Sequence, residues 1–337
     1  MSFKRLDPED FVVSSDSITS TLWSNGVPTL STFFTNSIQA ASSAGNYYLS
    51  VYNTSSTTQE VQFDIVYCDS EGYGSNLFNP IVPSNSPTKT MYGQYRALIL
   101  EDENANFIFG KGNNIITGSY FWVLSIERAR YKQSLFPGSL QLTISGSGNN
   151  VITLTDDSQD NPVNTFIGSS RVYQLISGSN GTAGSSPTSG YVAGSGSYGL
   201  VFPDLGTIIL NPFALSQSLN FEPTRSYNSN TGYNNALLYD AINKGISFTL
   251  NSEETITSDY VFVRARNSEF NYSENPSFIS GSTGEVIYDN FINAPQTYIT
   301  TVGMYNDSNE LLAVAKMSRP LLKDFTKEAL VRVKLDF

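Results

Sequence analysis

Ala329-Leu330-Val331-Arg332-Val333-Lys334-Leu335-Asp336-Phe337 alternates in side-chain character without a break. Ala329, Val331, Val333, Leu335 and Phe337 fall on one side, and Leu330, Arg332, Lys334 and Asp336 on the other. Period two is the geometry of a strand, and a strand with one apolar side must bury it against a core or a partner. The pattern runs to the last residue of the sequence, so Phe337 is expected to pack, with no loose tail after it.

The same alphabet extends upstream. Residues 298–305 and 311–317 flank Asn306-Asp307-Ser308-Asn309, four strong turn formers, and are expected to form a hairpin. Pro320 is expected to end its second strand, and Asp324 or Thr326 to cap a short turn. Residues 246–250 and 260–265 read as strands. Nearer the start, 47–52 and 61–67 form a second expected hairpin, joined by polar residues 53–59. In it Val61, Phe63 and Ile65 share one face, against Gln62, Asp64 and Val66 on the other. Residues 121–126, 140–144 and 151–154 are further strands, while 96–101 and 127–135 fit helix or strand. Residues 171–176 look like one or two helical turns. One helix is clear: Asn234 or Asn235 can cap it, Leu237, Leu238, Ala241 and Ile242 make its stripe, and Gly245 is placed to end it.

The fold class expected is therefore mainly β, with antiparallel, sandwich-like sheets in two lobes and one or two short helices. Residues 1–25 read as an N-terminal arm closing in a turn at 22–26, and residues 26–145 as a β domain. Residues 146–245 form a β-rich middle region with a Ser/Gly loop at 177–199 and the helix at 235–244. Residues 246–337 form a C-terminal β region that can share a lobe with 26–145. The turn-rich Ser145-Gly146-Ser147-Gly148-Asn149-Asn150 and the Lys244-Gly245 pair mark the expected boundaries. Residues 177–199 hold little besides Gly, Ser, Thr and Ala, too little apolar surface to offset ordering entropy. That loop and the first 23 residues are expected to order only on a partner.

Composition narrows the chemistry. The 337 residues carry a net charge of −11, and charged residues make up only 15%, against roughly 25% in average soluble domains. No basic stripe exists, so nucleic acid is not an expected partner. No apolar run approaches the ~20 residues of a membrane span, and the opening residues lack a signal core, which together suggest synthesis in a reducing cytoplasm. There is no histidine, which removes Ser-His and Cys-His catalysis and His-based zinc sites. The single cysteine, Cys68, sits in an apolar run and reads as a buried thiol. Carboxylates cluster at Glu101, Asp102 and Glu103, at Asp156, Asp157 and Asp160, and at Glu253 and Glu254. Each cluster reads as a solvated turn. Asp156-x-Ser158-x-Asp160 begins like a calcium loop, but Asn161-Pro162 and Ile167 stand where glycine and glutamate are needed. No catalytic, metal or cofactor-binding residues are assigned, and no enzymatic activity is expected.

Two segments carry a resemblance. Ile299-Thr300-Thr301-Val302-Gly303-Met304-Tyr305, followed by Leu311-Leu312-Ala313-Val314-Ala315-Lys316, resembles a hairpin common in phage tail-fibre and baseplate-associated proteins. Ser2-Phe3-Lys4-Arg5-Leu6-Asp7-Pro8-Glu9-Asp10 and residues 261–272 look like virion proteins of large contractile-tailed bacteriophages, those of cyanobacterial phages among them. The resemblance implies a structural subunit of the virion, in the tail or baseplate, whose expected partners are other virion proteins, tail or baseplate subunits and further copies of the chain among them. A receptor- or glycan-binding tail module and a head or neck decoration protein are the alternatives. Assembly needs broad aromatic contact surfaces, for which Tyr47, Tyr48, Tyr92, Tyr95, Phe107, Phe109, Tyr120, Phe121 and Trp122 are candidates. Burial of Trp23 and Trp122 would favour assembly over sugar binding, because a sugar site needs exposed rings.

Overall fold

The structure is a computed structural model that describes residues 3–36, 47–75, 81–82, 86–161, 165–185, 190–226, 232–273 and 275–336. It is mainly β, with antiparallel pairing throughout the registered strands, as the alternation of its strands leads one to expect. The chain divides into two compact units. A terminal unit holds residues 1–17 and 255–337, and a core unit holds residues 18–254. This division differs from the expected one. Residues 26–145 and 146–245 share one sheet, because Gln141–Ser145 and Val151–Asp156 pair directly across the turn between them (Ser145 with Val151, Leu142 with Leu154). A turn-rich stretch marks a hairpin here, not a boundary.

The core unit is built on one large sheet. Its strands lie in the order Thr29–Leu30, Phe248–Thr249, Gln141–Ser145, Val151–Asp156, Ser170–Ser179, Gly199–Phe202, Thr207–Leu210, Tyr120–Ile126, Val61–Asp69 and Leu49–Tyr52. Leu30 is in the first of these. Four residues later, Phe34 exchanges backbone hydrogen bonds with Tyr52 in the last, at 3.2 and 2.8 Å. Four residues span at most roughly 14 Å, so the two edges of the sheet are brought together and the sheet is curled.

Side chains on both faces of the sheet are buried. Phe63, Ile65, Tyr67, Trp122, Leu124 and Leu210 point into one core, roofed by the helices Pro212–Leu219 and Tyr233–Gly245. Val66, Cys68, Phe121, Val123 and Ile209 point into a second, under the helix Pro87–Leu100 and the hairpin Phe107–Lys111 with Asn114–Gly118. Two-sided burial erases the polar half of the alternation. It explains why Gln62 and Val66, assigned to a polar face, are buried. It also explains Ser170–Ser179, where the expected helical turns are a strand of the sheet.

Local details correct other expectations. The first 25 residues are not a free arm: Phe11–Thr21 is a strand, and Leu22 and Trp23 are core residues. Trp23 Nε1 donates to the carbonyls of Pro28 and Phe248, both at 3.0 Å. The turn after Trp23 is present, closed by Gly26 N to Trp23 O at 2.9 Å. The clear helix exists as Tyr233–Gly245, but Gly232 is its N-cap. Asn234 and Asn235 instead turn inward. Asn235 Oδ1 accepts from Tyr67 N at 2.8 Å, and Asn234 brackets the backbone of Thr224. Gly245 matters for closeness: a Cβ there would lie 2.0 Å from the carbonyl oxygen of Thr143. In the Ser/Gly loop, residues 186–189 lie outside the description, and the remainder docks on the sheet. Tyr198 is buried, Gly184 N donates to Ser177 O and Ser177 N to Gly190 O, and Ser197 Oγ donates to Gln174 Oε1 at 2.6 Å.

The terminal unit has two small sheets. Residues 11–17 and 255–265, the parts of the strands Phe11–Thr21 and Asn251–Ala265 that fall in this unit, form one with Ala329–Asp336, and Gln296–Tyr305 with Leu311–Asp324 the other. The second is the expected hairpin. Pro320 does not end it, because Ile299 pairs with Leu321 while Thr301 pairs with Lys316. Met317 to Pro320 thus bulge out opposite Thr300, and a bulge is where a residue without an N–H is tolerated. Asp324 Oδ1 accepts from Thr326 N at 2.8 Å, making the expected turn. No described helix is long and apolar enough to cross a membrane.

Candidate assembly surface

The alternation of Ala329–Asp336 is realised. Ala265, Val263 and Val261 of the long strand stand opposite Ala329, Val331 and Val333. Val261, Ala265, Ala329 and Val333 are the only apolar side chains buried in the described part of the terminal unit, and all four are small. Leu335 is half-buried, and Phe337 lies outside the described residues. The opposite face pairs Tyr260 with Lys334, Phe262 with Arg332 and Arg264 with Leu330. Arg332 and Lys334 lie over the Tyr260 ring at 5.5 and 5.9 Å, and Arg264 pairs with Glu328 at 2.8 Å.

Polar anchors do what a core would do elsewhere. Lys323 is fully buried, and its ammonium donates to Asn267 O, Asn271 Oδ1 and Asp324 O at 3.1, 2.7 and 3.0 Å. Three acceptors satisfy its three protons, which is what lets a charge be buried. Lys4 binds the carbonyl of Arg264 and, at 2.8 Å, the carboxylate of Glu269. That contact, with the Arg266 N–H, holds Glu269 below the usual carboxylate range. Lys334 and Ser258 do the same for Asp336, and Arg264 for Glu328.

Apolar surface accumulates outside this framework. Of the 27 large apolar side chains exposed among the described residues, 15 belong to the terminal unit, which has 100 of the 337 residues. The hairpin concentrates them. Tyr305, Leu311, Leu312 and Val314 are exposed, and the Phe3 ring meets Tyr305 edge-on at 5.1 Å. Gly303 stands opposite Val314, and a Cβ on it would come within 3.0 Å of the Tyr305 ring, so the face between these side chains is flat. A flat apolar face is suited to protein contact and holds no acid–base machinery.

The residues singled out from sequence lie elsewhere. Tyr92, Phe107, Phe109, Phe121 and Trp122, expected as contact aromatics, are buried in the two cores. Abundance of aromatics does not distinguish inside from outside. The feature that does is Leu311 to Ala315, five apolar residues in a row on a two-stranded hairpin, of which Leu311, Leu312 and Val314 are exposed. Cys68 is buried as expected, and burial with Asp69 beside it pushes the thiol up.

The carboxylates serve the backbone. Asp156 accepts from Gly138 N at 2.9 Å and Ser158 N at 3.1 Å, and burial raises its pKa. Asp157 holds Lys111 at 2.6 Å, Gln174 N and Asn161 Nδ2. Asp160 takes Ala183 N, Glu101 takes Ser169, and Asp102 takes Asn104 N. Glu253 meets Ser134 Oγ at 3.3 Å, and Glu254 pairs with Lys132 at 2.6 Å. Asp156 and Asp157 are buried, so that cluster is not the solvated turn expected. Among the described residues no three cysteine or carboxylate side chains come together as a metal site. No protein-family model, curated protein or solved structure matches the chain.

Proposed function

We propose that this chain is a structural subunit of a bacteriophage virion, in the tail or baseplate, and acts through protein–protein contacts without catalysis. The observation that carries the reading is the imbalance of the terminal unit: among its described residues, four small apolar side chains are buried and 15 large ones exposed. Ordering a residue costs about 1–2 kcal/mol, so a unit of this size with so little core gains most of its burial from neighbours. Contiguous exposed apolar surface of this kind marks interaction sites. The resemblance of the hairpin and of the opening segment to contractile-tailed phage proteins supplies the virion and the tail. Trp23 and Trp122 are both buried, which takes from the glycan-binding alternative its two best platforms.

The test uses particles of the virus that encodes the chain. The wild-type chain is expected in purified particles at fixed stoichiometry, and in the tail fraction after heads and tails are separated. Full-length chain carrying Leu312→Asp and Val314→Asp should melt like wild type yet be missing from particles. Absence of the wild-type chain from particles would overturn the reading, and its recovery with heads alone would overturn the tail assignment.

A further inference from the structure

The hairpin Gln296–Tyr305 with Leu311–Asp324 is a two-stranded sheet without a third strand among the described residues. Such a hairpin is marginal by itself in water. Its exposed face carries Tyr305, Leu311 and Val314 around Gly303, and its charges are sorted along its length. The tip holds Asp307 and Glu310, and the stem holds Lys316 and Arg319. None of these four forms an ion pair within the described chain, whereas Lys4, Arg264 and Lys334 of the same unit all do.

We propose that the exposed face of this hairpin is covered by the hairpin of a second copy of this chain, the two related by a twofold axis and running antiparallel. The proposal rests on the reading of the terminal unit as a contact surface and names its partner. Take the Gly303–Val314 pair as the centre. In paired register, Glu310 lies just past the Tyr305–Leu311 pair, two positions toward the tip, and Arg319 lies between the Thr301–Lys316 and Ile299–Leu321 pairs, two to four positions toward the stem, so at about 3.3 Å per position each is roughly 10 Å away, in opposite directions. A twofold axis through the centre brings each acidic tip onto the basic stem of the other copy, twice over. Parallel stacking would instead set tip on tip and stem on stem, with like charges opposed. The same patch serves both copies, as a twofold contact requires, and the flat floor at Gly303 lets two apolar faces meet. Arrangement by charge at a rim fixes orientation and register while the apolar centre supplies the attraction.

Sedimentation velocity of the full chain across concentration and salt tests this. The expected result is a monomer–dimer equilibrium that weakens as salt rises. Two charge-swapped chains sharpen it: Asp307→Lys with Glu310→Lys, and Lys316→Glu with Arg319→Glu. Each alone should dimerise at least about tenfold more weakly. Mixed in equal amounts they should pair with each other, because every tip then meets a stem of opposite sign. All four positions are exposed, and unchanged melting confirms that the variants fold. A wild-type chain that stays monomeric, a trimer or larger closed ring, or swapped chains that ignore each other when mixed would each overturn the proposal. If the wild type is monomeric but the Leu312→Asp, Val314→Asp chain is still lost from particles, the dimer fails and the virion reading stands. If it dimerises as described but is absent from particles, the reverse holds.

Discussion

The core unit and the terminal unit follow opposite rules from the same chain. The core unit has 25 charged residues in 237, and 46 of the 50 apolar side chains buried among the described residues. The terminal unit has 24 charged residues in 100, and the remaining four. The first is held by a sheet packed on both faces. The second is held by strand pairing and by ammonium groups on backbone carbonyls. The difference teaches that low overall charge here is a property of one unit. It reflects a sheet that leaves few positions facing water.

The contrast can be broken most forcefully at Trp122. Its indole is fully buried, donates to Asn234 O at 2.9 Å, and lies against Tyr67 and Phe221. Trp122→Ala should destabilise the core unit by about 3–5 kcal/mol, read as a lower denaturation midpoint. Leu312→Ala in the hairpin should change it by less than about 0.5 kcal/mol. Equal effects would mean that the hairpin shares the core.

Two glycines give a smaller contrast. Gly245→Ala forces a methyl onto the Thr143 carbonyl, which belongs to a strand that cannot yield, and should cost about 2 kcal/mol. Gly303→Ala meets the edge of the exposed Tyr305 ring and the end of the exposed Leu311 side chain, both of which can rotate away, and should cost under about 0.5 kcal/mol in the isolated chain. A large loss at Gly303 in denaturant titration would show that the flat face is already packed.

The gentlest test is acid. In the terminal unit the shifted carboxyls, Glu269, Asp324, Glu328 and Asp336, all lie below their usual values. A depressed pKa contributes stability above the unfolded value and loses it as pH falls through the folded one. In the core unit Asp64 and Asp156 are raised by burial. Their contribution has the opposite sign: it is present below the unfolded value and lost as pH rises through the raised one. These partly offset Glu101, lowered by the hydrogen bonds from Ser169, and Asp204, which Arg171 lowers against the opposing effect of burial. As pH falls from 6 to 3, protection against hydrogen exchange, taken relative to an unstructured chain at the same pH, should therefore be lost in residues 255–336 before it is lost in the large sheet. The reverse order would undo the assignment.

How far the sequence was legible follows from which faces are wet. Ala329–Asp336 and the Asn306–Asn309 turn read correctly because one side of each strand meets water. Ser170–Ser179 did not, since a strand buried on both faces loses its period and its apolar run looks helical. Trp23 was hidden behind Ser and Thr, whose β-branched and small neighbours give no core signal. Asn234 and Asn235 look like caps because Asn at a helix start usually is one, and nothing local reveals that Tyr67 N needs an acceptor. For the candidate surface, the turn formers Asn306 to Asn309 mark the hairpin, but nothing local in the sequence separates its exposed Leu311, Leu312 and Val314 from the aromatics buried in the two cores.

The bulge at Met317 to Pro320 bears on how association stops. A hairpin with bare strands on both sides is a template for unlimited edge-to-edge growth, the route to fibrils. Such growth needs a straight edge with an unbroken row of donors and a repeat that identical copies can match. Pro320 removes one donor, and the four-residue loop around it pushes the edge out of line. An incoming strand can match the outer half of Leu311–Asp324 and then loses its register. The bulge leaves the exposed face with Tyr305, Leu311 and Val314 untouched, so an obstacle to edge growth and an open apolar face stand on the same hairpin.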